Sequence, residues 1–548
     1  MGFHDTLKKL SLRTFTIKRK KKPENDPVGI LHSDRSTFSR IALVAQTRQM
    51  DMREVLSYPL GPLPWSLSTT SGTLIKTSKS ALLPLLFDDN SGSETTDNAG
   101  DGALIVDAMA LLRAMKVNEL PSTYGEFAAL VLSRLCRFMS SYKRVDFVVD
   151  TYRQVSITNL ERTSRMSAGA LRQHITGSIQ RLPRQFSKFL AVGENKSELL
   201  EFFFTQWQTP ELMSTVPAQK ELVVTSGSSC VMIKNNDASP ASQPLPDLVC
   251  THEEADTRLL LHAKHAACAG CSHVTIKTPD TDVAVLATAF CRSIASRLSL
   301  LIGAGSRLRR INVNAASNKL GQEVSSALPG FHAFTGCDTT SAFAGRGKKA
   351  AFKLLCSDKP VSVLARSAFV AVGNKFEALP AEHIATLEKY TCMLYNATQC
   401  SSVNDARYQL FCTRSLQSSQ LPPCRDAFLR HCSRANYQAG VWRRCLVASP
   451  VDILSAHQDG QGWQLRSDGC LTIDWTDLPP APRSILEFLR CGCKTGCSGG
   501  SCSCRRHALP CTDACGCRHN SPVACTNCME ELAACENEDA PLADSVDE

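Results

Sequence analysis

The stretch Ala103-Leu104-Ile105-Val106-Asp107-Ala108-Met109 decides the fold of this chain. A short apolar run that ends in a carboxylate is typical of a buried strand whose last residue reaches the edge of a sheet. Residues 145–149 and 274–276 repeat the apolar run, and amphipathic stretches lie between the runs. Short strands that alternate with helices predict an α/β domain.

Three amphipathic stretches, residues 127–139, 196–207 and 256–269, have apolar residues at helical spacing and are predicted helices. Residues 380–445 are also predicted to be helical, with Pro422 and Pro423 breaking the run before a helix over 426–437. Residues 60–65 and the apolar run over 81–87 predict a small packed element near the N-terminus rather than a simple linker.

Length and composition predict several domains, since 548 residues with 43% hydrophobic content can bury a sizeable core. The predicted division is 1–48 as a basic flexible region, 49–102 as a small element and linker, 103–380 as the α/β domain, 381–487 as a helical extension with a Pro-rich joint, 488–530 as a cysteine-rich module and 531–548 as an acidic tail.

Several protein classes are disfavoured. The chain lacks an apolar run of the roughly eighteen residues needed to cross a bilayer, and its N-terminus lacks the apolar stretch of a secretion signal. A soluble intracellular protein without a membrane partner is therefore expected. No Gly-rich loop precedes a Lys-Ser or Lys-Thr pair, which argues against a nucleotide triphosphatase.

Charge is unevenly distributed along the chain. The first fifty residues hold eleven Lys and Arg against four acids, and the last twenty hold eight acids and no Lys or Arg. The run Lys18-Arg19-Lys20-Lys21-Lys22 is typical of a nuclear import signal or a phosphate-binding arm, with a solvated tail as the alternative. A nuclear location is expected.

Carboxylates stand where an α/β sheet binds its ligands, outside the carboxyl ends of the strands. Asp107 and Asp150 end the first two apolar runs, Asp280 and Asp282 come shortly after the third, and Asp338 follows a further apolar segment. Convergent carboxylates repel one another, so Mg²⁺ or Mn²⁺ is the natural counter-charge.

Two further acids, Glu254 and Asp256, stand at the start of a predicted helix. Thr251 together with Glu254 also fits a capping box, which alone would explain both residues. Taken singly, each acid of the chain is more often a cap, a turn residue or a surface charge than a metal ligand.

The order of these acids adds information. Glu254-Ala255-Asp256, Asp280-Thr281-Asp282 and Gly336-Cys337-Asp338 resemble the motifs of the flap endonuclease family of PIN-like nucleases. The resemblance covers about 250 residues, and Asp256 replaces a usual Glu. It implies a central mixed sheet flanked by helices and hydrolysis of DNA phosphodiesters with two Mg²⁺ or Mn²⁺ ions. The implied ligands are Asp107, Asp150, Glu254, Asp256, Asp280, Asp282 and Asp338.

The same resemblance implies contacts with DNA. Gly345-Arg346-Gly347-Lys348-Lys349-Ala350 is similar to the family's hairpin, in which glycines permit close approach to a phosphate and lysines neutralise it. An ordinary glycine turn before a helix is the alternative. Arg153, Arg162 and Arg165 follow Asp150 where the family keeps basic residues, although any of them fits a solvated helix.

The C-terminal module is a cysteine cluster with too few apolar residues for a core of its own. Metal ligation must therefore supply its folding free energy, and about three zinc ions can be satisfied if some sulfurs bridge. Lys494, Arg505 and Arg506 would offset the negative charge of the thiolates and could face phosphate. The ten candidate ligands are Cys491, Cys493, Cys497, Cys502, Cys504, Cys511, Cys515, Cys517, Cys525 and Cys528.

This spacing resembles the tesmin-type CXC domain, which implies a three-zinc cluster that binds DNA. The sequence departs from that family at Ser501, where an aromatic residue is common, and in the seven residues between Cys517 and Cys525, where two are usual. A zinc module that only mediates protein contacts is the alternative. A disulfide scaffold is disfavoured, because most other cysteines are scattered singly.

A helical zinc site and a cysteine nucleophile are considered and rejected. His262, His265, Cys268 and Cys271 fall at three-residue intervals, but on a helix they would spread over about half a turn and could not converge on one ion. Cys337 is interpreted as a small buried residue rather than a nucleophile.

The leading hypothesis is a nuclear metal-dependent nuclease that a zinc-cluster module targets to DNA. A DNA-binding regulator or scaffold with a catalytically silent nuclease-like domain is the first alternative. A transposon-derived protein of the integrase type is the second, although that class usually needs only three acids. Nothing in the sequence indicates a protein partner.

Overall fold

The computed structural model describes the part of the chain that carries the predicted sheet, the helices and most of the cysteine module. The described residues are 41, 50–61, 63–87, 100–153, 155–164, 171–236, 239–303, 308–414, 418–485, 491–493, 497, 502–506, 511, 515–519 and 525–527. The basic run over 18–22 and the acidic tail lie outside these residues.

An eight-stranded mixed sheet forms the centre of the molecule, in the order β5-β4-β3-β2-β1-β6-β7-β8. The five strands from β3 to β7 in this order are parallel, and β4, β5 and β8 are antiparallel additions. A separate hairpin pairs β9 with β10. The strands are β1 Ala103–Asp107, β2 Arg144–Val148, β3 Glu221–Ser226, β4 Ser229–Asn236, β5 Ser239–Pro244, β6 Val274–Lys277, β7 Leu298–Ile302, β8 Arg309–Asn312, β9 Trp463–Leu465 and β10 Leu471–Ile473.

Helices flank the sheet on both faces, as the sequence predicts. They are α1 Met52–Leu56, α2 Leu83–Leu86, α3 Ala108–Arg113, α4 Tyr124–Phe138, α5 Ile157–Ser164, α6 Phe186–Phe189, α7 Gly193–Gln206, α8 Pro210–Met213, α9 Ala255–Cys268, α10 Thr281–Ile294, α11 Val313–Leu320, α12 Gln322–Phe334, α13 Lys348–Leu355, α14 Pro360–Ala371, α15 Ala381–Leu394, α16 Val403–Arg414, α17 Arg425–Arg443, α18 Ser503–Arg506 and α19 Gly516–His519. Short 3-10 helices span Lys79–Leu82, Val117–Glu119, Pro246–Leu248 and Ser418–Gln420.

The predicted strands and long helices are confirmed within a few residues. β1, β2 and β6 match the three apolar runs, and α4, α7, α9 and α17 match the predicted helices. The predicted α/β fold, with a central mixed sheet flanked by helices, is therefore confirmed. Among the described helices, none is both long enough and apolar enough to cross a membrane.

The period of two along β1 explains why the sheet is covered on both faces. Ala103 and Ile105 point into one core, which they share with α9 and α10, while Leu104 and Val106 point into a second core, which they share with α4 and α7. Successive side chains of a strand alternate between the faces of the sheet. A strand buried on both sides is therefore apolar throughout, and only Asp107 at its end is polar.

The N-terminal element and the later helices belong to the same core as one face of the sheet. Leu56, Leu60 and Leu82 pack in a cluster that also contains Phe428 and Trp442. Buried Arg407 donates hydrogen bonds to three main-chain carbonyls, at Leu56 (2.6 Å), Tyr58 (2.8 Å) and Pro422. These bonds anchor the chain before β1 to the helices after the sheet.

A buried ion-pair network explains the histidines of α9. The guanidinium of Arg144 donates two hydrogen bonds of 2.7 Å to Asp146, and His262 Nδ1 lies 2.7 Å from the same carboxylate. His265 contacts Arg144 instead, and Cys268 is exposed. Both histidines therefore have polar partners in this network, which fits the interpretation of a packed helix with incidental His and Cys.

The buried His431 imidazole should make the fold sensitive to acid. Its Nε2 donates to the carbonyl of Phe334 at 2.7 Å, and burial, together with Arg434, lowers its pKa to about 3. The unfolded state takes up a proton between about pH 6.5 and pH 3 that the folded state does not, so stability falls as the pH falls through this window.

We expect His431→Gln to flatten the dependence of the free energy of unfolding on pH between pH 7 and pH 5 by up to about 1.4 kcal/mol per pH unit. Urea unfolding at several pH values measures this slope. His457→Gln, at an exposed position, is the matched control and should leave the slope unchanged. An unchanged slope in His431→Gln would contradict the assignment.

Candidate functional site

The acids predicted from the sequence lie at the carboxyl edge of the parallel strands. Asp107 ends β1, Asp150 follows β2 by two residues, and Asp280 follows β6 by three. β1 pairs in parallel with both β2 and β6, so these three chain segments leave the sheet side by side. The strand order reverses at β1, and this is where open α/β sheets bind ligands.

Three carboxylates converge most closely. One oxygen each from Asp256, Asp280 and Asp282 lies within 4.8 Å of the others, which is close enough for a single metal ion to contact all three. Asp280 is also the N-cap of α10, where its side chain accepts a hydrogen bond of 2.9 Å from the amide of Asp282. The cap fixes the turn that brings both carboxylates to the site.

Asp107 and Asp150 are held by helix starts in the same way. Asp107 accepts hydrogen bonds from the amide of Ala110 (3.0 Å) and from Thr278 Oγ1 (3.1 Å). Asp150 accepts one of 2.8 Å from the amide of Ala255, the first residue of α9. The two carboxylates are close enough for Asp150 to raise the pKa of Asp107.

The capping box considered for α9 does not form. Glu254 is the N-cap residue of α9, but its side chain makes no capping bond and instead accepts a hydrogen bond of 3.0 Å from Thr158 Oγ1. Asp150, two residues after β2, accepts the hydrogen bond at the start of α9. The capping box therefore does not explain Glu254, and this residue lies near enough to Asp256 to raise the pKa of Asp256.

An unpredicted cation occupies the acidic cluster. The ammonium of Lys79, on the 3-10 helix Lys79–Leu82, lies 2.9 Å from Asp282 Oδ1, 3.0 Å from Asp338 Oδ1 and 3.4 Å from Asp280 Oδ1. Its side chain is only 18% exposed. These ion pairs also bring Asp338, from a distant loop, to the other acids.

The pKa values of the acids record burial and mutual repulsion. Burial raises the pKa of Asp107 to about 6, with Asp150 and Asp280 contributing. Burial and the neighbouring acids also raise the pKa of Asp256 and of Asp280. Burial acts in the same direction on Asp282, but Lys79 and His332 outweigh it and hold its pKa below the ordinary value. Although burial opposes it, the acids raise the pKa of Lys79 and keep it protonated.

The loop that carries Asp338 is built against the N-terminal element. Gly336 has φ of 101°, and a Cβ there would lie 2.7 Å from the amide nitrogen of Ala342, so only glycine fits this turn. The amide of Ala342 donates to Ile75 O at 2.8 Å, and Ser341 Oγ donates to Leu67 O at 2.6 Å. Cys337 is buried, as predicted.

One predicted DNA contact needs correction. Lys348 is 1% exposed, and its ammonium donates to His332 O (3.0 Å) and Thr335 Oγ1 (2.9 Å). Burial lowers the pKa of Lys348 to about 7. The prediction that Lys348 faces a phosphate is wrong for this structure, because the side chain braces the end of α12. That helix also presents His332, whose Nε2 lies 2.9 Å from Asp282.

The remaining residues of the predicted hairpin fit a surface turn. Gly345 has φ of 68°, Gly347 precedes α13 as its N-cap, and Lys349 is exposed. Arg153 lines a cavity together with Glu254 and donates a hydrogen bond of 2.7 Å to Thr251 O. Arg162 lies on α5 with its side chain outside the described residues, and Arg165 lies outside them altogether.

The cysteine module brings nine of the ten predicted ligands together. The sulfur of Cys491 lies 3.6 Å from the sulfur of Cys497, 3.7 Å from that of Cys517 and 3.8 Å from that of Cys511. Zn–S bonds of about 2.3 Å in a tetrahedron place sulfurs about 3.8 Å apart. The spacing therefore suits zinc, and no disulfide joins the described cysteines.

The nine cysteines form four overlapping sets that could each hold one ion. Cys491 and Cys511 each belong to three of the sets, so their thiolates are placed where they can bridge ions. The sets are Cys491, Cys493, Cys497, Cys502; Cys491, Cys502, Cys504, Cys511; Cys491, Cys511, Cys515, Cys517; and Cys497, Cys511, Cys517, Cys525. The predicted cluster able to bind zinc is thus confirmed.

Main-chain and amide groups support these sulfurs. The amide of Arg505 lies 3.5 Å from Cys502 Sγ, and Asn527 Nδ2 lies 3.4 Å from Cys511 Sγ. The Arg505 guanidinium also donates a hydrogen bond of 3.0 Å to Cys497 O, and this bond stabilises the fold of the module. Cys528 and Lys494 lie outside the described residues, as does the side chain of Arg506.

Comparison with known proteins finds similarity among solved structures. No family model matches the chain, and no curated protein matches it either. The chain is similar to the solved catalytic core of Rad2 in complex with DNA substrate, with 11% sequence identity and a TM-score of 0.28. The matched region covers 62% of this chain and 96% of that chain. A TM-score this low carries no conclusion about function, which rests on the residues of this chain.

Sequence reasoning missed two members of the acidic site, Lys79 and His332. Neither lies in a recognisable motif, and both reach the acids through tertiary packing rather than through the order of the sheet. Lys79 stands in the polar stretch Thr77-Ser78-Lys79-Ser80, and such a stretch does not predict a largely buried ion pair.

The overlapping sets predict unequal effects of cysteine substitutions. We expect Cys491→Ser, which removes a ligand shared by three sets, to lose more bound zinc than Cys493→Ser, which affects one set. Metal content by mass spectrometry and the thiolate absorption of the cobalt-substituted protein measure the loss. Equal zinc content in the two variants would contradict a bridged cluster.

Proposed function

We propose that this protein is a nuclear, metal-dependent DNA nuclease whose zinc-cluster module directs it to DNA. The reaction is hydrolysis of a phosphodiester bond with two Mg²⁺ or Mn²⁺ ions. The observation that carries the proposal is the convergence of separate acidic segments at the carboxyl edge of the sheet. Seven acids contribute, namely Asp107, Asp150, Glu254, Asp256, Asp280, Asp282 and Asp338.

The chemistry of the donor set fits hard divalent cations. Carboxylate oxygens are the ligands that Mg²⁺ and Mn²⁺ prefer, and Asp256, Asp280 and Asp282 have oxygens within 4.8 Å of one another. When bound, such ions lower the pKa of water and stabilise charge on a phosphate. The raised pKa of Asp256 supports this role, since the fold keeps a repulsive carboxylate where a cation would relieve it.

The protein's own side chains would hold and orient the substrate. Arg153 is exposed in the cavity that Glu254 also lines, and Lys349 is exposed at the start of α13 beyond the Gly345 turn. Both are available to the anionic backbone of DNA, whose binding is dominated by such contacts. Gly345 and Gly347 leave room for a phosphate near this turn.

The cysteine module supplies a second contact with DNA in this proposal. Its sequence resembles the tesmin-type CXC domain, and its sulfur spacing fits about three zinc ions with bridging thiolates. Lys494, Arg505 and Arg506 would face phosphate. Tethering this module to the acidic site raises the effective concentration of DNA there. The basic run over residues 18–22 supports import into the nucleus.

A second candidate function has one observation in its favour. The Lys79 ammonium neutralises part of the acidic cluster through its ion pairs with Asp282 and Asp338. A DNA-binding scaffold that had lost catalysis could be stabilised in this way. A transposon-derived integrase is not favoured by any described contact.

The nuclease proposal predicts opposite effects of one substitution on activity and stability. Asp256→Asn should reduce cleavage of flapped, branched and linear DNA by at least about 100-fold, since even outer-shell changes cost 10–100-fold at metal sites. The same change should raise the melting temperature without divalent ions, because it removes a buried charge that its neighbours repel. Gel assays in Mg²⁺ or Mn²⁺ and thermal unfolding measure the two effects.

Asp358→Asn, at an exposed position, is the matched control and should change neither property. If the wild type fails to cleave any of these DNAs in either metal, the nuclease proposal fails and the scaffold is favoured. A strand-transfer product would instead favour the integrase class.

A further inference from the structure

Lys79 stands where a divalent ion would have to bind. Its ammonium contacts three of the seven acids directly, Asp280, Asp282 and Asp338, at 2.9–3.4 Å. A cation ligated by these carboxylates would use the oxygens that already face Lys79. Two cations cannot share them at short range, because their mutual repulsion in a poorly solvated site is large.

The backbone of Lys79 is anchored more firmly than its side chain. The 3-10 helix Lys79–Leu82 is fixed by fully buried Leu82 and packs against α10 and α13. The lysine side chain, by contrast, is a flexible four-carbon stem with a rotatable charged end. The ammonium can therefore leave the carboxylates by rotation about side-chain bonds while the backbone stays in place.

We propose that the Lys79 ammonium fills the second cation position of the acidic site and must withdraw before a second divalent ion binds. This inference rests on the proposed function, since it assumes that the acids bind metal. Under this proposal the other four acids, Asp107, Asp150, Glu254 and Asp256, would hold a first ion while Lys79 remains in place. Lys79 is thus a built-in competitor that sets the divalent-ion concentration at which the site fills.

Titration of the zinc-loaded full-length chain with Mn²⁺ tests this directly. Electron paramagnetic resonance counts bound Mn²⁺, and calorimetry gives the affinities, so neither measurement depends on cleavage. In Lys79→Met, the second Mn²⁺ should bind at least about tenfold tighter than in the wild type, because one repelling charge is gone. Lys79→Arg, which keeps the charge, should retain the weak second site.

Lys353→Met, which removes an exposed lysine from α13, is the control for the loss of one positive charge and should bind Mn²⁺ like the wild type. Lys79→Gln provides a second neutral variant if Lys79→Met folds poorly. In either neutral variant, Mn²⁺ should raise the melting temperature more than in the wild type, since the metal replaces the missing cation.

Two results would overturn the inference, and they are distinguishable. If two Mn²⁺ ions bind to wild type and to Lys79→Met with equal affinity, Lys79 is no competitor, while the proposed metal site stands. If neither protein binds Mn²⁺ at the acids, the proposed function fails together with the inference.

Discussion

Repulsion among carboxylates at the carboxyl edge of the parallel strands constrains the structure around it. Asp256, Asp280 and Asp282 have oxygens within 4.8 Å of one another, and partial burial reduces the water that would screen their charges. The raised pKa of Asp256 and of Asp280 expresses the cost. Some cation has to offset this repulsion, and Lys79 does so in the protein described here.

Several of the acids are held in place by hydrogen bonds from amides at helix N-termini. Asp107 and Asp280 cap the helices that follow them, and Asp150 accepts a hydrogen bond from the first amide of α9. Amides at a helix N-terminus also favour negative charge. The positions of these carboxylates are therefore tied to the starts of α3, α9 and α10, and the backbone stabilises charges that would otherwise repel one another freely.

The sequence predicted the parts of the site that follow from sheet order. Asp107, Asp150 and Asp280 could be found because each ends or follows an apolar run, and parallel strands bring such ends together. The ten-cysteine spacing likewise predicted a metal cluster, because a segment with so few apolar residues needs ligation to fold.

The sequence did not predict contacts that depend on long-range packing. Lys79 and His332 reach Asp282 from separate elements, and no local pattern marks either residue. The burial of Lys348 was missed for a related reason. A glycine turn followed by lysines has the same sequence whether the first lysine faces solvent or braces the end of α12. The capping of α9 by Asp150 rather than by Thr251 also depends on a neighbouring strand.

Two metal chemistries meet in this chain, with soft thiolates in the cysteine module and hard carboxylates at the sheet edge. Anomalous diffraction from zinc-loaded crystals soaked in Mn²⁺ distinguishes the two sites by their absorption edges. The account predicts a manganese peak at the acidic cluster that contains Asp256, Asp280 and Asp282, in addition to zinc peaks among the cysteines. Zinc peaks at the cysteines without manganese at the acids would contradict the central claim that this acidic cluster is a divalent-cation site.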